Sequence, residues 1–396
     1  MRRFLPLLAA VALLATACGD GAGADGDGGP IQLGFIESLS GTYAPLGTEA
    51  AKTVELAVDQ INKEGGIDGR TIELTTLDDK TAPDQAVIHF NKLKEQGVDA
   101  IIGSTFSNAA LAVAPMAERE QIPYVSLAPA DEQVDPVRPH TFVVPAISSK
   151  YAESMLRYFE AEGITRIAVA YDTNNAYAKA GFEGMEEGAS AHGVEMVRIE
   201  RFETNTSDFS SVLTHVRGSD AQALAVWASG APGVTIAKQY AAAGLDIPMV
   251  MTASQASKLW LEPVGSAAEG VYVQSAVGVV GDELPDGRLK SVIDRMADPF
   301  EEKYGYPPPQ FAMDGYAGVL LIAAAFEQAG GTDKAEVRAA LESMDLVTPT
   351  GRYTYSADDH SGLDVVNISM NQVRDGRLVP TEWGREQLAK AAEDAG

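Results

Sequence analysis

The feature that most constrains this chain is a strand–helix alternation that runs through its first third and then starts again. Ile31–Phe35 reads as a buried strand, and Thr48–Glu64 as a helix with Val54, Val58 and Ile61 on one face and Gly65-Gly66 as its stop. Arg70–Leu77, Ala100–Gly103 and Ile122–Leu127 are the next strands, with helices at Pro83–Gln96 and Asn108–Glu120 between them. After Ser148 the helices Tyr151–Glu162, Tyr177–His192, Asp208–Arg217 and Val234–Ala243 alternate with strands at Arg166–Tyr171, Val194–Phe202, Ala223–Ala228 and Ile247–Thr252. Strands separated by crossover helices pair in parallel, with helices on both faces of the sheet. The sequence therefore predicts an α/β protein of two Rossmann-like doubly wound lobes. A long helix is predicted at Pro309–Ala329, and Gly351–Ser356 and Val365–Arg374 are expected to pair with each other in antiparallel fashion. Such late segments imply a three-strand hinge near Pro145–Ser148, Ala276–Gly278 and Val347–Thr350. One lobe is expected to comprise residues 31–146 with 277–348, and the other residues 147–276 with 349–388. In open parallel sheets ligands sit beyond the carboxyl ends of the strands, here between the lobes.

The N-terminus reads as an export leader. Met1-Arg2-Arg3 is basic, and Phe4–Leu14 is an uncharged, mostly apolar run of 11 residues. A bilayer span needs about 20, but a secretory signal core does not. Ala15-Thr16-Ala17 then lead into Cys18, the single cysteine of the chain. The segment resembles a bacterial lipoprotein signal, which implies removal of residues 1–17 and a lipid on Cys18. Residues 19–30, with 6 Gly and 3 Asp, can build no core and read as a flexible tether, so that 18–30 links lipid to lobes. Gly21-Ala22-Gly23-Ala24-Asp25-Gly26 matches a dinucleotide fingerprint only formally, because no strand precedes it and no helix follows.

Several functions are excluded on composition and motif. The 30 basic and 56 acidic side chains give a net charge of −26, a surface that repels nucleic acid. One cysteine rules out a disulfide scaffold or multi-cysteine metal site, and no metal or cofactor is expected. There is no P-loop, no G-x-S-x-G elbow and no H-E-x-x-H among the five histidines, so no catalytic constellation stands out and an enzyme is not expected. Asp358-Asp359-His360 reads as a solvated turn, His89 as surface packing, and Asp78-Asp79 as capping or hinge contacts.

Ile36–Gly47 (IESLSGTYAPLG), Asp59–Gly69 (DQINKEGGIDG), Val98–Ser104 (VDAIIGS), Ile122–Ala128 (IPYVSLA), Ala243–Pro248 (AGLDIP), Ala268-Glu269-Gly270 and Asp314–Gly331 occur in an order and spacing that covers nearly all of residues 31–380. This pattern resembles the leucine/isoleucine/valine-binding-protein family, the substrate-binding components of ABC importers with the type I periplasmic binding fold. The resemblance implies a clamshell that closes on a small carboxylate ligand and delivers it to an ABC permease, working as a monomer. It places the ligand carboxylate at Thr105, Phe106 and Ser107, where a helix N-terminus offers free N–H groups and a partial positive charge. It also brings Ala128 (through its carbonyl), Ala130, Tyr177, Ser229, Ala253 and Ser254 to the ligand. Amino-acid binders of the family carry a Thr hydroxyl where Ala130 stands, and an acidic partner for the ligand ammonium near Thr252-Ala253-Ser254-Gln255, which has none. A buried ammonium without a counter-charge is costly, so an aromatic or branched acid lacking the ammonium is favoured over a branched-chain amino acid.

The same fold can serve as a ligand sensor docking on a membrane receptor, and nothing in the residues separates the two uses. The leader does generate a test. Cys18→Ser should release the protein from membranes into the soluble fraction, measured by fractionating host cells and immunoblotting. Wild-type protein found wholly in the soluble fraction would overturn the lipid anchor.

Overall fold

The computed structural model describes residues 28–396, so the leader, Cys18 and most of the tether lie outside the described residues. The chain opens β1(Ile31–Glu37) α1(Ala44–Lys63) β2(Ile72–Asp78) α2(Pro83–Gln96) β3(Ala100–Gly103) α3(Ser107–Glu120) β4(Tyr124–Ser126) β5(Thr141–Val143). These five strands form one parallel sheet in the order β2-β1-β3-β4-β5. The chain then passes through α4(Ser148–Ala161), β6(Arg166–Asp172), α5(Ala176–Gly188), β7(Glu195–Phe202), α6(Ser210–Arg217), β8(Ala223–Trp227), α7(Ala231–Ala243), β9(Met249–Met251), α8(Lys258–Val264) and β10(Tyr272–Ala276). It ends with α9(Arg288–Tyr304), α10(Gln310–Ala329), α11(Lys334–Glu342), β11(Asp345–Thr348), β12(Gly351–Thr354), β13(Ile368–Arg374), β14(Arg377–Pro380) and α12(Glu382–Ala395). The second sheet runs β14-β13-β10-β9-β8-β6-β7, parallel except for the β13 and β14 edge. This is the doubly wound two-lobe architecture of the type I periplasmic binding fold.

Local chemistry explains the elements. Pro83 opens α2 with its φ preset, Ala86, Phe90 and Leu93 point inward, and Gly97 ends the helix in the left-handed region at φ 78°. The β1 and β3 strands are mostly apolar because helices cover both faces of the sheet, and Leu33, Phe35, Ile101 and Ile102 are fully buried. Asp78 and Asp79, at the end of β2, accept the backbone N–H groups of Leu39, Ser40, Lys80 and Thr81, and so hold the β1–α1 and β2–α2 loops together.

Two expectations need correction. Gly351–Ser356 and Val365–Arg374 do not pair: β12 pairs with β11, while β13 lies between β10 and β14. Alternation reports which face of a strand is buried and says nothing of its partner. His360 is not solvated. It is fully buried, stacked on Phe142 at 4.0 Å, with Nδ1 against the carbonyls of Arg138 and Thr141.

The crossover segments meet at one place. A Cβ on Gly278 would lie 2.0 Å from the Pro349 carbonyl, so only glycine allows that approach. The Tyr353 hydroxyl donates to the Val144 carbonyl, and the Ala276 N–H donates to Gln310 Oε1 at 2.6 Å.

On the second lobe, α5 lies against Trp227, which is fully buried and donates its indole N–H to Met185 Sδ at 3.0 Å. A Cβ on Gly181 would fall 1.9 Å from the Trp227 ring. Gly181→Ala should therefore destabilise the protein by about 1–3 kcal/mol, in spite of alanine's better helix propensity. Urea denaturation checks this, and an unchanged or raised midpoint would contradict the packing.

Candidate functional site: a cleft between the lobes

The carboxyl ends of β1 and β3 face those of β6, β8 and β9 across a narrow cleft of about 450 Å³, open solvent at its mouth included. On the first lobe its wall is the turn from β3 into α3. Gly103 holds φ at 112°, and a Cβ there would meet the Ile36 carbonyl at 1.8 Å, so glycine lets the chain leave the sheet tightly against β1. Helix α3 begins at Ser107. Ala109 and Ala110 donate to the Phe106 carbonyl at 3.0 Å each, which leaves the N–H groups of Ser107 and Asn108 as free donors at the helix start. Ser107 is buried, faces the cleft, and its hydroxyl makes no cap bond.

Of the residues singled out from sequence, Thr105, Phe106, Ser107, Tyr177, Ser229, Ala253 and Ser254 line this one cleft. Ala128 and Ala130 do not: both are fully buried, their carbonyls accept Gln133 Nε2 at 2.7 and 3.1 Å, and their neighbours Leu127 and Pro129 form the wall. Two of the lining hydroxyls are already committed. Thr105 Oγ1 donates to Glu37 at 2.8 Å, and Ser254 Oγ donates to the Ala228 carbonyl at 2.8 Å. The Tyr177 hydroxyl is buried without a partner, and its ring leans on Trp227 at 5.3 Å. Trp227 stands behind the wall and belongs to the core.

Sequence reasoning missed the rest of the site. Tyr43 stacks on Phe106 at 4.8 Å, and Tyr151 meets Tyr177 edge-on at 6.3 Å, so rings from both lobes enclose the space. Asp314, on α10, also lines the cleft. It is 1% exposed, and its carboxyl oxygens accept only the Gln310 amide, at 3.0 and 3.2 Å. With no cation beside it, burial pushes its pKa up to about 8. Glu37, at the end of β1, lies behind Thr105, and burial pushes it up to about 7 against the pull of its hydrogen bonds. A single acid inside an otherwise apolar stretch is the signal that could have found both, in IQLGFIE and in FAMDGYAGVLL.

The lobes touch across the cleft mouth. Asn175 Nδ2 donates to the Tyr43 hydroxyl at 2.9 Å, Asn108 Nδ2 donates to the Asn174 carbonyl at 3.2 Å, and the Ala176 N–H donates to Asn108 Oδ1 at 3.1 Å. The cleft is closed in this structure.

The two raised carboxyl groups set a pH dependence. Each binds its proton more tightly folded than unfolded, so each contributes stability below its unfolded pKa, and that contribution is lost as pH rises through about 7 for Glu37 and about 8 for Asp314. The ligand-free protein should lose stability between about pH 4.5 and 8, and Asp314→Asn should flatten the part of that fall above about pH 7. Chemical denaturation across the range checks this, and a wild-type stability that does not decline would contradict it.

The architecture and the cleft agree with what sequence and structure comparisons find. The chain is 24% identical to Leu/Ile/Val-binding protein homolog 7 of Brucella abortus (strain 2308), over 90% of this chain and 92% of that one. Among solved structures, a solute-binding protein of an ABC transporter from Rhodopseudomonas palustris, in complex with benzoate, superposes with a TM-score of 0.78 at 24% identity, covering 89% of this chain and 95% of that one. The branched-chain amino acid transporter substrate-binding protein LivJ of Streptococcus pneumoniae, in complex with isoleucine, also superposes with a TM-score of 0.78 at 24% identity, covering 89% of this chain and all of that one. The sequence profile described as "Periplasmic binding protein" matches residues 30–376, nearly the whole of the described chain, and the chain belongs to that family.

Proposed function

We propose that this chain is an extracytoplasmic solute-binding lipoprotein of an ABC importer, anchored through Cys18, that captures a small carboxylate between its lobes and hands it to a membrane permease. The observation that carries the reading is the start of α3, where free N–H groups and Ser107 face a cleft walled by aromatic rings with no basic side chain in its lining. Helix N-termini take anions without a counter-cation, and the hydroxyl adds a donor. The rings of Tyr43, Phe106, Tyr151 and Tyr177 suit an apolar or aromatic body. The family supports the extracytoplasmic solute-binding role, and its relatives bind benzoate in one case and isoleucine in another. No set of side chains in the cleft supports turnover. Delivery to a permease, as against signalling through a receptor, is tested by co-purification with the permease.

An aromatic or branched acid lacking an ammonium is the favoured ligand. Thr252–Gln255 supplies no counter-charge, and at neutral pH the buried Asp314 carboxyl is held largely protonated, a neutral donor rather than an anion. A branched-chain amino acid is the second reading, favoured by the position of Asp314 itself. Once paired with an ammonium it would give up its proton and supply the charge that the other loop lacks.

A thermal-shift panel pairing leucine, isoleucine, valine and phenylalanine with their deaminated analogues separates these readings. A bound ligand at about 100 times its Kd adds roughly 2.7 kcal/mol, a shift of several degrees. The deaminated acids should shift the melting temperature more. Ser107→Ala should weaken the winning ligand by about 1.5–3 kcal/mol, through loss of a hydrogen bond to a charged group. If amino acids win and Asp314→Asn selectively removes their effect, the second reading replaces the first. If no carboxylate of either class stabilises the protein, the carboxylate reading fails.

A further inference from the structure

Glu37 is a buried carboxylate that the capture of a ligand does not at first sight require. It ends β1 with no exposed surface, directly behind the turn that leads to Ser107. Both of its oxygens accept the Thr105 N–H, at 3.0 and 3.1 Å, and Oε1 also accepts the Thr105 hydroxyl at 2.8 Å and the Ser38 N–H at 2.8 Å. Ser104 Oγ lies 3.4 Å from the same oxygen. The carboxylate thus clamps Ser104-Thr105, two residues ahead of the first free helix donor.

The groups facing Glu37 hold no cation. The loop after β2 presents Asp79, whose Oδ1 accepts the Ser38 hydroxyl at 2.6 Å and the Thr81 N–H at 2.8 Å, and whose Oδ2 is buried without a partner. From β4 comes Tyr124, whose hydroxyl accepts the Ser104 N–H at 3.0 Å. From α1 comes Gly47, where a Cβ would lie 2.8 Å from Glu37 Oε1, so the approach of helix and carboxylate is close and bare of charge. Its neighbour Glu49 is occupied elsewhere, with Lys52 and Tyr306.

We propose that Glu37 is a positioning residue for the anion subsite at the start of α3, and that seating a ligand carboxylate there is coupled to uptake of one proton by Glu37. The inference rests on the carboxylate reading above. A ligand carboxylate at Ser107 and the Glu37 carboxylate would sit on the two sides of one short turn, and like charges that close in a water-poor site are not both kept ionised. A proton from solvent relieves the repulsion without breaking the clamp, since a protonated Glu37 keeps acceptor capacity for the Thr105 N–H. Burial already brings Glu37 close to half-protonation at neutral pH, so the uptake costs little there.

The test is isothermal titration of the full chain with benzoate, 4-methylpentanoate and leucine from pH 5.5 to 8.5, in buffers of low and high ionisation enthalpy, for wild type and Glu37→Gln. With the two simple acids, wild type should take up close to one proton per ligand near pH 7.5. Its affinity should fall up to tenfold per pH unit above neutrality. Glu37→Gln should bind with a flattened pH profile and with that uptake removed. For leucine, the difference between wild type and variant isolates the same uptake from any proton released at Asp314. Binding without linked protons, or a variant that keeps the full pH dependence, overturns the inference and leaves the carboxylate reading intact. Failure of all three probes to bind counts against the carboxylate reading, and the inference falls with it. If Glu37→Gln does not fold, the buffer series is run on Asp314→Asn: proton uptake that persists there supports Glu37, and uptake that disappears assigns it to Asp314 and overturns the inference.

Discussion

An α-helix that starts inside a closing cleft must find partners for N–H groups that water would otherwise satisfy, and this protein is arranged around that requirement. The first turn of α3 leaves the N–H groups of Ser107 and Asn108 free. While the lobes stand apart, water meets those donors at no cost. When the lobes meet and water leaves, an anion meets them best. Under the proposed function closure and capture are one event, and the ligand would stabilise the state in which its own binding site exists.

The contacts that hold the closed state are few and polar. Tyr43–Asn175 and the two bonds of Asn108 cross the cleft, and hydrogen bonds of this kind contribute about 0.5–1.5 kcal/mol each. Stacking of Tyr43 on Phe106 adds a contact within the first lobe that presents a ring to the second. None of this amounts to a large apolar interface. One apolar cluster runs from the first sheet to one face of the second, the other face of the second sheet has a cluster of its own, and the crossovers at Gly278, Pro349 and Val144 are packed against one another. A balance of that size is one that a ligand worth a few kcal/mol can tip.

The fold was legible because periodicity is a property of the sequence alone. Pro83–Gln96 and Ala100–Gly103 are found where the pattern puts them, and most other helices differ by one to four residues at an end, as α1 does at Ala44. What periodicity does not carry is partnership. The β13 strand looks like a hairpin mate for β12 but completes a sheet built some hundred residues earlier, at Tyr272–Ala276. The site divides in the same way. Thr105–Ser107 could be placed at the cleft from the strand-to-helix turn, because that turn is local in the sequence. Tyr43, Tyr151 and Asp314 come from three distant segments, and only the folded chain brings them to one wall. Ala128 and Ala130 flank Pro129, which lines the cleft with Leu127, and their own carbonyls are taken up by the Gln133 amide, a partnership that the sequence does not announce.

The charge of the molecule sharpens the role of these few groups. A chain with net charge −26 repels a small anion at long range, so attraction for the proposed carboxylate would have to arise within the cleft, over distances shorter than the screening length of about 8 Å. There the protein offers backbone donors, a hydroxyl and aromatic surface, and keeps its two nearest carboxyl groups, Glu37 and Asp314, buried where burial favours their neutral forms. Carboxyl groups in such positions are more than neutral filling. Each is an anion that can be silenced by one proton, so the cleft's charge follows its contents. A carboxylate favours protonation at Glu37, and an ammonium favours ionisation at Asp314. A site without lysine or arginine can in this way match its charge to a ligand and still release it, because no permanent ion pair has to be broken when the lobes reopen.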